Sequence, residues 1–267
     1  MTLEAQLAAQ QLKRRVRRFL ASGLYGRPEV RKLVDELGEF GEVAVFGGML
    51  RDLALAGSKG FSSDVDLVID AADWGKISQK LAAYRPDRNA FGGYRFNLQR
   101  WAVDLWPLSE TWAVKAGHVC GESLSDLVKT TFFNWDAIVF DLSKGAVHCE
   151  AQYFKELHER MLRINLAVNP NPEGAAIRTL RLHIRHQATL SYELAEYTAD
   201  VLETVGIERL WELERTKHSP PRVSAETMRE FLDQFRQAKA QGRRDPISSP
   251  EKQTAFWVSY EMEQLED

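Results

Sequence analysis

Three carboxylates and a glycine pair open the chemistry of this chain. Asp64 and Asp66 sit in "DVDLVID", an apolar segment with strand character, and Asp104 sits in "WAVDLWPL", another. Residues two apart on a strand share a face, so Asp64 and Asp66 point the same way. Two like charges that close are unfavourable without a cation between them. Oxygen donors suit a hard ion such as Mg²⁺, which takes one or two carboxylates and leaves room for substrate phosphates. Asp104 lies among Trp101, Val103, Leu105 and Trp106, where a charge is costly without a partner. Gly47-Gly48 ends the apolar stretch "EVAVF" and precedes the helical "MLRDLALA". Such a strand-to-helix turn lets backbone N–H groups approach a phosphate. Metal ligands beside a phosphate cradle point to nucleotide chemistry. The competing readings are an ordinary turn and an exposed strand face.

The elements that must hold these residues follow from periodicity and punctuation. Helices are expected at 3–21, 28–38, from Met49 to Gly57, and at 73–83. Strands are expected at "EVAVFGG" and "DVDLVID", with "GYRFNLQ" and "WAVDLWPL" as a hairpin and "WDAIVFDLSKGAVHCE" as another turning at Ser143-Lys144-Gly145. "SLSDLVKTT" reads as a short helix capped by Ser123 or Ser125. Beyond "NPNPEG" the character becomes helical, with helices at about 173–190, 192–204, 206–216, 222–240 and 251–265. The fold class is therefore α+β. Residues 1–39 form N-terminal helices, 40–155 a mixed-sheet domain, and 156–267 an all-helical part.

Composition narrows the function classes. The 267 residues are 44% hydrophobic and 27% charged, with a formal net charge of −3, so any nucleic-acid surface must be local. One candidate is the run Lys13, Arg14, Arg15, Arg17 and Arg18, for which a solvated helix face is the alternative. The cysteines, Cys120 and Cys149, fit free thiols in a reducing compartment, and their spacing with His118 and His148 matches no zinc site. No apolar leader and no run of ~18 apolar residues is present, so a cytoplasmic, non-membrane protein is expected. Trp101, Trp106, Trp112 and Trp135 suit core packing, with base stacking as the alternative.

"GGMLRD" followed by "SSDVDLVI" resembles the head domain of the DNA polymerase β-type nucleotidyltransferases, and most of all the bacterial tRNA nucleotidyltransferase (CCA-adding) and poly(A) polymerase branch. The resemblance implies a nucleotidyltransferase head followed by a helical neck and short body. It implies two Mg²⁺ ions held by Asp64, Asp66 and Asp104, and an NTP contacted by Gly47, Gly48, Arg51 and Ser63. "VKTTFFN" stands where the family carries Arg-Arg-Asp-Phe-Thr-Ile-Asn. Lys129 and Asn134 match there, while the second basic residue and the aspartate are missing. "NPEGAAIRTLRLHIRHQ" is similar to the helix that opens the family's neck, with Arg178 and Arg181 as further phosphate contacts. Asp52 is expected to orient Arg51. The implied activity is transfer of an NMP to an acceptor hydroxyl, with an RNA 3′ end, tRNA first, as the expected acceptor. The length suits a short stand-alone enzyme, toxin-like or regulatory, rather than a full CCA-adding enzyme. Transfer to a protein or small molecule, and a nucleotide- or RNA-binding protein without turnover, are the alternatives. Oligomeric state is not legible.

Overall fold

The computed structural model describes residues 2–24, 26–57, 64–88 and 92–249. The chain divides into two compact units, the first formed by 1–159 with 165–168 and the second by 160–164 with the residues from 169 onward. The helix expected at 251–265 lies outside the described residues.

The first unit begins with α1 (Leu3–Ala21), capped by Thr2, and α2 (Arg27–Gly38), which starts with a proline in its first turn. Then come β1 (Glu42–Phe46), α3 (Gly48–Ala56), β2 (Val65–Asp70), α4 (Trp74–Leu81), β3 (Asp87–Arg88), β4 (Tyr94–Leu98) and β5 (Trp101–Pro107). A short α5 (Trp112–Lys115), β6 (Ile138–Asp141), β7 (Ala146–Cys149) and α6 (Tyr153–His158) complete it. The strands form one mixed sheet in the order β3-β4-β5-β2-β1-β6-β7. β2 runs parallel to β5, and every other pairing is antiparallel.

Alternation sorts the side chains. In β5, Trp101, Val103 and Leu105 are buried while Ala102, Asp104 and Trp106 are half-buried. Trp101 meets Phe19 of α1 edge-on at 5.3 Å, so the odd positions face the helices. The even face carries Ala44, Val68 and Val139, which pack under Leu124 and Leu127 of a 3₁₀ helix at Leu124–Lys129. Asp104 thus shares its face with Trp106, and Trp101, Val103 and Leu105 turn away from it. Trp135 is fully buried, and Trp106 donates from Nε1 to Thr111 Oγ1 while packing edge-on against Phe46. Trp101 and Trp135 are core residues, and Trp106 is half-buried against the packing on the even face. The Ser123 segment is 3₁₀ rather than α-helical, and Ser123 and Asp126 close a capping box at its start.

Among the described residues, the second unit holds a two-stranded parallel pair, β8 (Met161–Leu162) and β9 (Thr189–Leu190), and four helices. These are α7 (Pro172–Arg185), α8 (Tyr192–Val205), α9 (Ile207–Lys217) and α10 (Ala225–Ala240). Asn171, Ser191 and Ser224 cap α7, α8 and α10 through their side-chain oxygens. The helix expected to reach residue 190 stops at Arg185. Gln187 adopts a left-handed backbone with φ 50°, and the chain then turns into β9. Leu180, Leu194, Leu202, Leu210, Met228 and Phe231 form the buried interior.

His183 is buried in that interior, with Nδ1 2.7 Å from the Ala188 carbonyl oxygen and its ring edge-on to Phe231. Burial pushes its pKa below the ordinary 6.5, against the opposing effect of that carbonyl. Its imidazole is neutral in the fold, and unfolding below the ordinary value takes up a proton. The stabilisation is complete above about pH 6.5 and is lost as pH falls. Melting temperature is expected to drop more steeply between about pH 7.5 and 5.5 in the parent than in His183→Gln. Equal slopes in the two proteins, read by thermal denaturation, would remove His183 from this account.

Candidate active site

The site is built where β2, β5 and the start of α3 meet. In the parallel pairing Asp66 lies directly opposite Asp104, on strands about 4.8 Å apart. The antiparallel pairing of β4 with β5 then sets Arg95 opposite Asp104 on its other side. Asp64, just before β2, turns its Oδ2 to the Arg95 guanidinium, and a second nitrogen of Arg95 lies 3.6 Å from Asp104 Oδ2. The other oxygen of Asp104, Oδ1, is buried and has no hydrogen-bond partner. Burial raises the Asp104 pKa, Arg95 works against that rise, and Asp64 adds to it.

Gly47 joins β1 to α3 with φ 65° and ψ −124°, a conformation that suits only glycine. A Cβ there would lie 4.0 Å from Asp66 Oδ2 and 3.8 Å from the Asp136 carbonyl oxygen, so the turn runs beside the acidic pair. The Gly47 N–H is committed to the Ile138 carbonyl at 3.1 Å. The amides that head α3 are therefore those of Gly48 and Met49.

Arg51 corrects one expectation. It is buried rather than open to a phosphate, and it stands between two carboxylates. Nη1 donates to Asp136 Oδ1 at 2.7 Å, while Nε and Nη2 reach Asp52 Oδ1 at 2.9 and 2.8 Å. Burial opposes its charge, yet Asp136 and Asp52 outweigh burial and hold its pKa above the ordinary value. A Cβ on Gly48 would lie 3.5 Å from Arg51 Nη2, so this ion cluster underpins the glycine turn. Asp52 does orient Arg51. Asp136 carries no motif signal and was not legible as part of this cluster.

The other expected contacts are distributed more widely. Ser63 lies outside the described residues. Lys129 pairs with Asp126 at 2.8 Å at the end of the 3₁₀ helix, and buried Asn134 donates to Glu156 at 2.8 Å. Arg178 and Arg181 belong to the second unit, on α7. Arg178 is exposed, whereas Arg181 lies 3.6 Å from buried Glu214 and 2.9 Å from His218 Nε2. Of the basic run in α1, Arg15 is taken up structurally. Its Nη1 donates to the Leu53 and Ala54 carbonyls at 2.7 Å each, closing the last turn of α3. Arg14, Arg17 and Arg18 remain exposed, and Lys13 and Arg17 lie over the Gly145 turn.

A divalent cation fits part of the expected ligand set. Among the described residues no three or more His, Cys, Asp and Glu side chains are arranged to hold a metal by themselves. Mg²⁺ needs only one or two carboxylates when phosphate oxygens complete its shell. Asp66 and Asp104 meet that need, and the orphaned Asp104 Oδ1 is an oxygen that a cation would satisfy. Asp64 instead spends its charge on Arg95. No described helix is long and apolar enough to cross a membrane.

No protein-family model matches the sequence, and no curated protein matches it. Solved structures do. A CCA-adding enzyme in complex with CTP superposes with a TM-score of 0.58 at 17% identity, covering 87% of this chain and 55% of that one. The Thermotoga maritima CCA-adding enzyme complexed with tRNA gives 0.57 at 18% identity over 84% of this chain and 54% of that one. A tRNA-processing enzyme in an apo form gives 0.53 at 16% identity over 78% and 55%. The chain spans about half the length of the solved structures it matches. With its mixed sheet and trailing helices, it shares the α+β fold of these CCA-adding enzymes.

Proposed function

We propose that this protein is a metal-dependent nucleotidyltransferase that moves an NMP from an NTP to an acceptor hydroxyl, with a tRNA 3′ end as the acceptor. The observation that carries the reading is the register of Asp66 against Asp104 beside the Gly47-Gly48 turn. The neighbours' complexes with CTP, ATP and tRNA support the choice of substrates.

Asp66 and Asp104 would hold a divalent cation, which would lower the pKa of the attacking hydroxyl and offset charge on the leaving pyrophosphate. Asp104 is also the carboxylate that would accept the hydroxyl proton. The Gly48 and Met49 amides meet phosphate oxygens at the start of α3, where the helix dipole favours negative charge. Arg51 acts from below by fixing the turn that presents them. Exposed Arg14, Arg17 and Arg18 give the RNA backbone a sequence-independent contact.

A second reading, binding without turnover, is favoured by one observation, the neutralisation of Asp64 by Arg95. Incubation with Mg²⁺, each labelled NTP, and either total tRNA or cell lysate separates the two. Label is expected on tRNA and should vanish in Asp64→Ala/Asp66→Ala with the fold retained by circular dichroism. Label on protein would redirect the acceptor. NTP binding with no label anywhere would establish the second reading, and labelling at the parent rate by the double variant would refute the site.

A further inference from the structure

Four charged residues line up across the sheet. Asp87 on β3 faces Arg95 on β4, Arg95 faces Asp104 on β5, and Asp104 faces Asp66 on β2. Lateral neighbours in a sheet share a face, so the row reads minus, plus, minus, minus on one surface. Asp64 adds a fourth carboxylate through its bond to Arg95. Arg95 is thus the cation placed by register among these acids.

Its position is superficial. The Arg95 side chain is 53% exposed and Asp64 45%, whereas Asp104 is only 16% exposed. An ion pair this open is weak and breaks readily in water. The guanidinium nevertheless touches Asp104 Oδ2, on a carboxylate whose other oxygen is the buried orphan. Guanidinium and divalent cation would therefore draw on the same carboxylate. A cation on Oδ1 and the guanidinium at Oδ2 repel at that range, so each weakens the other's hold on Asp104. Asp87, on the outer side of Arg95, gives the displaced guanidinium another carboxylate.

We propose that Arg95 is a resident counter-cation: it neutralises Asp64 and Asp104 when no metal is bound, and it competes with the divalent cation for them. This rests on the metal-dependent reading above. The arrangement keeps the acidic row folded without metal and sets the cation concentration at which the site fills.

Titration of the full chain with Mn²⁺, followed by electron paramagnetic resonance of the free ion, tests this without any turnover. Arg95→Met and Arg95→Gln are expected to bind Mn²⁺ about tenfold more tightly than the parent. The thermal shift between EDTA and excess Mn²⁺ should grow in both variants, and Asp66→Ala should abolish binding. Parent-like or weaker affinity in both variants, with the parent binding Mn²⁺, would overturn the role of Arg95 and leave the metal-dependent reading standing. No Mn²⁺ binding by the parent or either variant would overturn both.

Discussion

Arg51→Met is expected to destabilise the first unit by about 3–5 kcal/mol, because it removes the guanidinium from a buried ion pair with Asp136. For a chain of this size that corresponds to a fall of roughly 10 °C or more in melting temperature. The loss does not measure the worth of the ion pair, since much of it is the penalty on the abandoned carboxylate. Arg51→Met/Asp136→Asn should therefore recover part of the loss, a coupling that a double-mutant cycle reads directly. Because Arg51 sits under Gly48, the single variant should also weaken NTP binding before it unfolds. A loss below about 1 kcal/mol in urea denaturation would mean the pair is no more than a surface contact.

Asp104→Asn should divide stability from activity. Transfer is expected to fall by at least about 10²–10³-fold, the scale of losing one preorganised electrostatic partner of the transition state. Melting temperature in EDTA should stay level or rise, because burial already works against this carboxylate's charge and one of its oxygens has no partner. A residue that costs the resting fold and serves the reaction has the signature of a functional site. A fall of several degrees, read by calorimetry, would show that the Arg95 contact outweighs the burial of this carboxylate in the resting fold.

The backbone of this site was legible because its signals are local. "EVAVFGG" and "DVDLVID" carry their own periodicity, and β1, α3 and β2 fall where those patterns end. Asp66 and Asp104 were legible by residue type in an apolar setting. Their register was not, because nothing in either segment states that β2 runs parallel to β5. Arg95 and Asp136 were missed for the same reason. Arg95 reads as an ordinary exposed charge on an alternating strand, and only its pairing opposite Asp104 gives it meaning. Asp136 sits in a short 3₁₀ segment, and its role depends on an arginine far back in the chain. Arg15 misled in the other direction. A run of basic residues looks uniform in sequence, yet the helical turn points Arg15 at the carbonyls that end α3 while Arg14, Arg17 and Arg18 stay in solvent.

The parallel union of β2 and β5 also bears on how the molecule comes into being. Two parallel strands cannot join by a tight turn, so α4, β3 and β4 must all be laid down before Asp104 can reach Asp66. Such distant pairing forms late and slows folding. A nascent polypeptide still on the ribosome would carry its glycine turn and first acidic strand before Asp104 could meet Asp66, so the acidic pair assembles in one step, only after β5 has emerged.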